Sequence, residues 1–368
     1  MKLNIRTLFG TSVLRNSARW LILILMVLIM LVSQDKETQP DQWTMMEPGG
    51  DTTCADGSTF RYFVREGSAD DSNLLIYFQE GGACWNRVTC DPISQTYYKK
   101  AEEDEMQVFR YIFEFDGIFN FQRDDNPMID FDVVFIPYCT GDVHAGSATV
   151  TYPMLGFLDL TIHHRGYENV TTVLDWVYTN YPDPERIVIA GSSAGAIASI
   201  FHAPPIMAHY PNAQVTQIAD GYVGVVPVGW EALQTWNVFE NMPDYLADID
   251  PDTFDINMLY RAHGEQFPQH TFSQFTTSID AFQLGYFNLV GGDLRDWQRR
   301  MYSLLDDLEE NLDNFRYYIA DGPWHTILPF ARFYTTSADE IRFRNWFADL
   351  IAGGPVENVR CENCTGPE

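Results

Sequence analysis

A serine between two glycines is the clearest candidate nucleophile in this sequence. The segment GSSAG (191–195) follows a β-branched run at 187–189 and precedes small residues and good helix formers. A G-x-S-x-G segment between a strand and a helix forms a sharp turn that presents the serine hydroxyl. The next N–H, that of Ala194, can donate to a developing oxyanion. Ser193 is therefore the candidate nucleophile, although small residues at such a crossing also serve packing alone.

A glycine-rich segment upstream could supply the other oxyanion donors. Residues 74–79 are predicted as a strand that runs directly into EGGA (80–83). Enzymes of the α/β-hydrolase type take a second donor from the loop after such an early strand, which points to the N–H groups of Gly82 and Ala83. A glycine-rich turn held by a Cys84–Cys90 disulfide is the alternative. The two interpretations are compatible, because a disulfide just beyond the donors would fix their direction.

A general base and an acid should follow the nucleophile in the order Ser, Asp or Glu, His. Of the eight histidines, His325 is best placed, since a predicted strand and a turn precede it late in the chain. Asp220 ends a strand soon after the sharp turn at 191–195, which is called the nucleophile elbow, and a supporting role is commoner at that position. Asp321 lies only four residues before His325. Spacing puts Asp280 only slightly ahead of them and leaves the choice of acid open.

The sequence offers little for a metal or a cofactor. His163 and His164 are adjacent, so their side chains seldom face one ion, and there is no H-E-x-x-H motif. Walker A and dinucleotide-binding glycine patterns are absent from the sequence as well. We therefore predict a reaction that uses side chains and backbone amides alone.

Short β-rich runs and one amphipathic helix surround these residues. The apolar spacing i, i+3, i+4, i+7 in residues 165–181 predicts a helix. Near-continuous apolar strands are typical of a sheet covered on both faces. The predicted strands are 59–66, 73–79, 132–137, 186–190 and 213–220. We therefore predict an α/β fold, a mostly parallel α/β-hydrolase-like sheet with helices on both faces.

The first 33 residues are set apart by composition. Four basic residues precede a charge-free run at 20–33, which as a helix would span about 21 Å at ~1.5 Å per residue. That length is short of the ~30 Å hydrocarbon core and is typical of a secretory signal. A poor cleavage site leaves an uncleaved N-terminal membrane anchor open. We expect a signal peptide or anchor at 1–33, a polar linker at 34–50, and one catalytic domain at 51–368.

Cysteine usage agrees with a location outside the cytoplasm, whether secreted, periplasmic or anchored, and the charge bears on possible partners. An even number of cysteines in an exported protein predicts disulfides. Proximity along the chain suggests the pairs Cys84–Cys90 and Cys361–Cys364, which leaves Cys54–Cys139. The formal net charge is −28, and loss of the four basic residues of 1–33 would leave −32. Such a surface argues against nucleic acid and anionic membranes as partners.

Together these segments resemble one known family, the pectin acetylesterase and Notum carboxylesterases, which are secreted serine hydrolases of α/β-hydrolase type. The similarity covers roughly residues 50–330 and rests on separated motifs. These are FQEGGACWN with TC (78–90), PYCTGDVHAG (137–146), GSSAG (191–195), ADGYVG (219–224), IDAFQL (279–284) and PWHT (323–326). Jointly they are far more specific than any one of them alone.

The resemblance implies a set of site residues and resolves the choice of acid. It implies Ser193 as nucleophile, Asp280 as acid and His325 as base, with oxyanion donors from Gly82, Ala83 and Ala194. Two positions depart from the family pattern. Ala196 stands where members often have a further glycine, and Ala83 stands where members have Gly or Trp, so the wall of the pocket is expected to differ.

The expected reaction is ester hydrolysis through an acyl-enzyme, without a cofactor. The family suggests O-acetyl groups on a polysaccharide, and the strong negative charge favours a neutral glycan or small aryl esters over charged pectin. Basic clusters are sparse, with candidates only at 97–100 and 295–300. Three alternatives stay open: a lipid or long-acyl esterase of the same family, a secreted serine peptidase, and a non-catalytic, membrane-tethered binding protein. The oligomeric state is not predicted.

Overall fold

The computed structural model describes residues 43–67, 73–101, 116–153, 159–226 and 230–361. The predicted signal peptide or anchor at 1–33 therefore lies outside the described residues. None of the helices in the described part of the chain is long and apolar enough to span a membrane.

A nine-stranded sheet forms the centre of the described structure. Its strands in chain order are β1 (Trp43–Met46), β2 (Tyr62–Arg65), β3 (Asn73–Phe78), β4 (Asp132–Ile136), β7 (Arg186–Ser192), β8 (Gln214–Asp220), β9 (Thr271–Thr277), β10 (Phe315–Ala320) and β13 (Val359–Arg360). Their spatial order is β1-β2-β4-β3-β7-β8-β9-β10-β13. The first two pairings are antiparallel and all the others are parallel. The predicted mostly parallel sheet is confirmed.

Two short antiparallel pairs lie outside this sheet, and helices connect and cover its strands. The pairs are β5 (Ala148–Pro153) with β6 (Asp159–His164), and β11 (Ser337–Ala338) with β12 (Ile341–Arg342). The helices are α1 (Gly166–Asn180), α2 (Ala194–Phe201), α3 (Ala203–His209), α4 (Glu231–Thr235), α5 (Asn257–Gln266), α6 (Ala281–Leu289), α7 (Leu294–Asn311), α8 (Arg332–Thr335) and α9 (Phe343–Ile351). Short 3₁₀ turns cover Val238–Asn241 and Asp244–Leu246.

The central strands are buried on both faces, as their continuous apolar runs predict. Alternate side chains enter two separate hydrophobic clusters: in β7, Ile187 and Ile189 join one cluster, and Val188 and Ala190 join the other. Helices α1, α2, α5 and α7 contribute to the first cluster, and α8 and α9 contribute to the second. Helices thus cover both faces of the sheet.

Helix α1 follows the predicted amphipathic pattern. Its buried side chains include the four apolar residues of that pattern, Val170, Val173, Leu174 and Val177. The helix ends at Asn180, shortly before Pro182 and Pro184, in the segment YPDPE where the sequence predicts a break. Strand β7 then starts at Arg186 and leads to the elbow.

The predicted polar linker at 34–50 differs from the structure over its last residues. β1 pairs antiparallel with β2, and Trp43 is 8% exposed. Its ring lies 6.4 Å from the ring of Phe119 and 6.3 Å from that of Phe121. The pairing of an edge strand and the burial of one large ring therefore bring residues 43–46 into the domain, which begins before residue 51.

Disulfides connect the loops at the carboxyl edge of the sheet. The structure forms Cys54–Cys139 and Cys84–Cys90, the pairings that the sequence suggests. Cys361 is also disulfide-bonded, and its predicted partner Cys364 lies outside the described residues. The Cys84–Cys90 bridge closes a short loop directly after the glycine-rich segment 80–83.

Candidate active site

Ser193 occupies a strained turn between β7 and α2. Its backbone has φ +52° and ψ −114°, a conformation that non-glycine residues rarely adopt. The Ser193 N–H donates to the carbonyl of Asp220 at 2.8 Å, which ties the turn to the end of β8. The side chain lies at the carboxyl edge of the sheet, as expected of a nucleophile elbow.

The two glycines of the elbow are required by close backbone approach. A Cβ on Gly191 would lie 2.1 Å from the carbonyl oxygen of Gly195. A Cβ on Gly195 would lie 2.0 Å from the carbonyl oxygen of Phe78 in β3. Only glycine at both positions lets α2 begin this close to β3 and β7.

His325 and Asp280 form a close polar pair at the candidate site. The Nδ1 atom of His325 lies 2.7 Å from Oδ2 and 2.9 Å from Oδ1 of Asp280. Asp280 is fully buried at the N-terminus of α6, where Oδ1 accepts from the N–H groups of Phe282 and Gln283. Its Oδ2 accepts from the Gln283 side-chain amide at 2.8 Å. The carboxylate is therefore fixed by four donors, counting the imidazole.

The charge of Asp280 sets the basicity of this imidazole. Burial alone would lower the pKa of His325, but attraction to Asp280 and the hydrogen bond with it raise that pKa above its usual value. The ring of Phe282 stacks on the imidazole at 5.1 Å between centroids. Nδ1 faces the carboxylate, so Nε2 is the ring nitrogen left to exchange a proton with another group.

Asp220 holds in place the loop after β10, which carries His325, and its carboxylate does not contact the imidazole ring. Its carboxylate accepts from the N–H groups of Ile327 and Leu328, each at 2.9 Å, and from the Ser192 hydroxyl at 2.7 Å. Burial raises the pKa of Asp220 to about 6, and these donors oppose that shift. The residue links β8, the elbow and the loop after β10, which is the supporting role that its position suggests.

Of the three backbone N–H groups predicted as oxyanion donors, two have no hydrogen-bond acceptor among the described residues and one has. The N–H groups of Gly82 and Ala194 donate to no acceptor within the described residues. The Ala83 N–H instead donates to the carbonyl of Thr96 at 3.1 Å, and the Tyr286 hydroxyl lies 3.3 Å from the same nitrogen. The Ala83 N–H, which the sequence predicts as an oxyanion donor, is therefore already hydrogen-bonded in this structure, next to a bridge between Gly82 and Tyr97.

Helix α6 supplies three site residues that sequence reasoning missed. Phe282 stacks on His325, Gln283 bonds Asp280, and the Tyr286 hydroxyl donates to the Thr96 carbonyl. Gln283 lies three residues after the Asp280 cap and Tyr286 three residues after Gln283, which is a spacing of neighbours on a helix surface. A helical reading of residues 281–289 starting from Asp280 could have found them.

Ser193 and His325 line one apolar cavity of about 70 Å³. Gly82 and Ala194 line it too, and the remaining wall is mostly apolar, including Val143, Ile197, Val225, Trp230 and Phe287. No hydrogen bond joins the Ser193 hydroxyl to the imidazole among the described residues. Such contacts are often long before substrate binds.

A larger, more polar groove is lined by the same two residues, Ser193 and His325. Its volume is about 630 Å³, and it is lined by Ser193, His325 and several aromatic side chains, including Tyr98, Phe282, Trp324 and Phe330. Glu80 and Arg332 also line it. The guanidinium of Arg332 lies over the rings of Phe330 and Trp324, at 4.7 and 5.0 Å. The candidate site is thus a junction between a small apolar cavity and a wide aromatic groove.

One cluster has metal-ligand residue types but not a ligand set. Cys84, Cys90 and His164 place their potential ligand atoms within 4.8 Å of one another. The two sulfur atoms are joined in a disulfide, so neither is a thiolate that could bind an ion. The His164 ring contacts the Thr140 carbonyl at 3.0 Å and the Tyr152 hydroxyl at 3.3 Å.

A mostly parallel sheet with a strained serine elbow and a late His–Asp pair defines a protein of the α/β-hydrolase class. The chain belongs to the pectinacetylesterase family, whose model matches residues 34–227, more than half of its length. It is 24% identical over 197 residues to palmitoleoyl-protein carboxylesterase notum2 of Xenopus laevis, which covers 53% of this chain and 38% of that protein.

Other relatives carry two kinds of name. The chain is 26% identical to palmitoleoyl-protein carboxylesterase NOTUM of Homo sapiens over 46% of this chain and 33% of that protein. It is 27% identical to pectin acetylesterase 5 of Arabidopsis thaliana over 53% of this chain and 41% of that protein. The chain therefore matches about a third to two fifths of the length of these relatives.

Proposed function

We propose that this chain is an extracytoplasmic serine carboxylester hydrolase that removes O-acetyl groups from a polysaccharide through an acyl-enzyme. The observation that carries the proposal is that His325, paired with the buried Asp280, lines the same cavity as Ser193. Names of relatives that act on esters agree with it. The two disulfides support a location outside the cytoplasm, where such bonds persist.

In the proposed mechanism, Nε2 of His325 accepts the proton of the Ser193 hydroxyl as its oxygen attacks the ester carbonyl. Asp280 holds the imidazole by Nδ1 and stabilises the imidazolium that forms. The oxyanion of the tetrahedral intermediate accepts from the N–H groups of Gly82 and Ala194. His325 then returns the proton to the leaving alcohol, and a water molecule, activated by the same base, releases the acid and the free serine.

The sizes of the two pockets favour a short acyl group and a bulky alcohol. The cavity beside Ser193 is small, about 70 Å³, and mostly apolar, which suits a short acyl group such as acetyl. The groove of about 630 Å³ accommodates a much larger leaving group. Exposed aromatic rings such as Phe282 and Tyr98 suit the apolar faces of sugar rings.

The charges in the groove favour a neutral glycan over a polyuronate. Apart from His325, its charged lining residues within the described part are Glu80 and Arg332, one of each sign. This lining has no excess of cations to offset the overall charge of −28. The alternative, a lipid or long-acyl ester, requires a deep apolar cavity.

Replacement of the nucleophile is the first test. In Ser193→Ala, we expect hydrolysis of p-nitrophenyl acetate by the purified protein to fall by about 10³-fold or more, and labelling by a fluorophosphonate to disappear. Ser303→Ala, on an exposed position of α7, is the matched control and should retain both. Equal activity in Ser193→Ala and the unmodified protein would overturn the assignment of the nucleophile. If the unmodified protein neither hydrolyses esters nor reacts with the label, the result would favour a non-catalytic binding protein. Amide substrates cleaved faster than esters would favour a peptidase.

A further inference from the structure

The small cavity has two strained backbone positions in its wall. Among the described non-glycine residues with positive φ, Ser193 and Val143 line this cavity, both at φ +52°. The strain at Ser193 belongs to the elbow. Val143 is the unexpected one, because a β-branched side chain disfavours the left-handed region more than most residues do.

A buried carboxylate holds the segment around Val143 in this conformation. Asp142 is fully buried, and its side chain accepts from the Thr140 hydroxyl at 2.5 Å and from the Gly166 N–H at 2.7 Å. It also accepts from the N–H of His144 at 3.2 Å. One carboxylate therefore fixes the chain on both sides of Val143 and ties it to the start of α1.

Further contacts fix the same segment from other elements. The Val143 N–H donates to the Tyr138 hydroxyl at 2.9 Å. The Nε2 atom of His144 lies 2.9 Å from the carbonyl oxygen of Gln79, in the loop after β3. The Cys54–Cys139 disulfide secures the end of β4 just before this segment. Strained positions persist where the surrounding structure over-determines them, and they cluster at functional sites.

We infer that Val143 is the residue that limits the length of the acyl group, because its rigid, buried side chain closes the cavity beside Ser193. The inference rests on the proposed function and deepens it. Val143 is 2% exposed, so its methyl groups are packed into this wall and cannot swing aside. A glycine would fit the same backbone without strain and would remove the side chain that lines the cavity at this point.

The test is an acyl-length series with p-nitrophenyl acetate, butyrate and hexanoate. The unmodified protein should show its highest kcat/KM for acetate. In Val143→Ala and Val143→Gly, we expect the ratio of hexanoate to acetate kcat/KM to rise at least about tenfold, since each methylene that a pocket accepts or rejects changes the rate by about 10–200-fold. The glycine variant relieves the backbone strain, so it keeps the test valid if the alanine variant folds poorly.

Val177→Ala is the matched control, since Val177 is a buried valine of α1 that does not line the cavity. It should lower the melting temperature without changing the acyl-length ratio. If both Val143 variants are folded and active but keep the ratio of the unmodified protein, Val143 is only a packing residue and the inference is wrong. If the unmodified protein hydrolyses none of the esters, the proposed function itself has failed, and the two failures are thus distinguishable.

Discussion

Asp280 joins two kinds of interaction in one carboxylate. It caps α6 through the N–H groups of Phe282 and Gln283, and it binds Nδ1 of His325. The capping bonds orient the carboxylate before any proton moves, so the imidazole meets a fixed partner. The same contact raises the pKa of His325. One carboxylate thus sets both the orientation of the imidazole and its affinity for a proton.

Removal of this charge should change both the rate and its pH dependence. His325 acts as a base only when neutral, and its pKa is raised, so activity of the unmodified protein should fall on acidification through a value above the usual ~6.5. In Asp280→Asn, that acidic limb should move to lower pH, and kcat should fall by about 10³–10⁴-fold. The measurement is the kcat/KM profile for p-nitrophenyl acetate between pH 5 and pH 9.

Asp321→Asn is the control for this prediction, because Asp321 lies near His325 in sequence and its carboxylate accepts a hydrogen bond from the Ser278 hydroxyl. We expect Asp321→Asn to keep a kcat within about twofold of that of the unmodified protein and to leave the acidic limb of the pH profile unshifted. A larger loss in Asp321→Asn than in Asp280→Asn would show that the acid is misassigned.

Among the elements, α6 does more for the site than its length suggests. Its nine residues follow the Asp280 cap and include Phe282 against the imidazole and Tyr286 against the glycine-rich loop. The Tyr286 hydroxyl donates to the Thr96 carbonyl, which also accepts from the Ala83 N–H. One helix therefore holds the acid and steadies the loop that presents Gly82.

We expect Tyr286→Phe to lower kcat by about 2–10-fold with little change in KM. The hydroxyl makes a neutral hydrogen bond, typically worth about 0.5–1.5 kcal/mol, and its loss loosens the oxyanion loop in the transition state more than in the ground state. Steady-state kinetics with p-nitrophenyl acetate would measure the changes in kcat and in KM separately. Tyr178→Phe is the control, since the buried Tyr178 hydroxyl has no hydrogen-bond partner within the described residues. If Tyr286→Phe raised KM and left kcat unchanged, the hydroxyl of Tyr286 would not act in the transition state and the prediction would be wrong.

Over the whole molecule, charge governs encounters with polymeric substrates. The chain carries 51 acidic and 23 basic residues, so an anionic polymer is repelled at long range. At ~0.01 M salt the screening length is ~30 Å, and at ~1 M it is ~3 Å. The repulsion should therefore act only in dilute buffer.

We expect acetate release from charged, acetylated pectin to rise by about tenfold as NaCl increases from ~10 mM to ~500 mM, on the order of typical electrostatic effects on association rates. Release from a neutral acetylated glycan should change by less than about twofold over the same range. Hydrolysis of p-nitrophenyl acetate, which is small and neutral, controls for direct effects of salt on the chemistry. Faster release from charged pectin at low salt would contradict the preference for a neutral glycan.

The sequence by itself determined features that depend on neighbouring residues. The β-branched run before GSSAG predicts a strand and an elbow, and the spacing of apolar residues predicts α1, because both patterns follow directly from backbone periodicity. The candidate nucleophile and base could be named for the same reason. The choice between Asp220, Asp280 and Asp321 was different, since spacing put Asp280 only slightly ahead and the family resemblance was needed to resolve it.

Tertiary structure decided what depends on distant parts of the chain. Asp280 meets His325 across 45 positions, and Tyr286 approaches the Ala83 N–H across 203. The bond from Ala83 to Thr96 likewise depends on a loop crossing that no local pattern encodes. The left-handed Val143 is held, against its own conformational preference, by the Tyr138 hydroxyl and by the neighbouring Asp142 carboxylate, which accepts from the Gly166 N–H at the start of α1. Local preferences are worth less than the combined contacts of a packed core, so packing prevails wherever the two conflict.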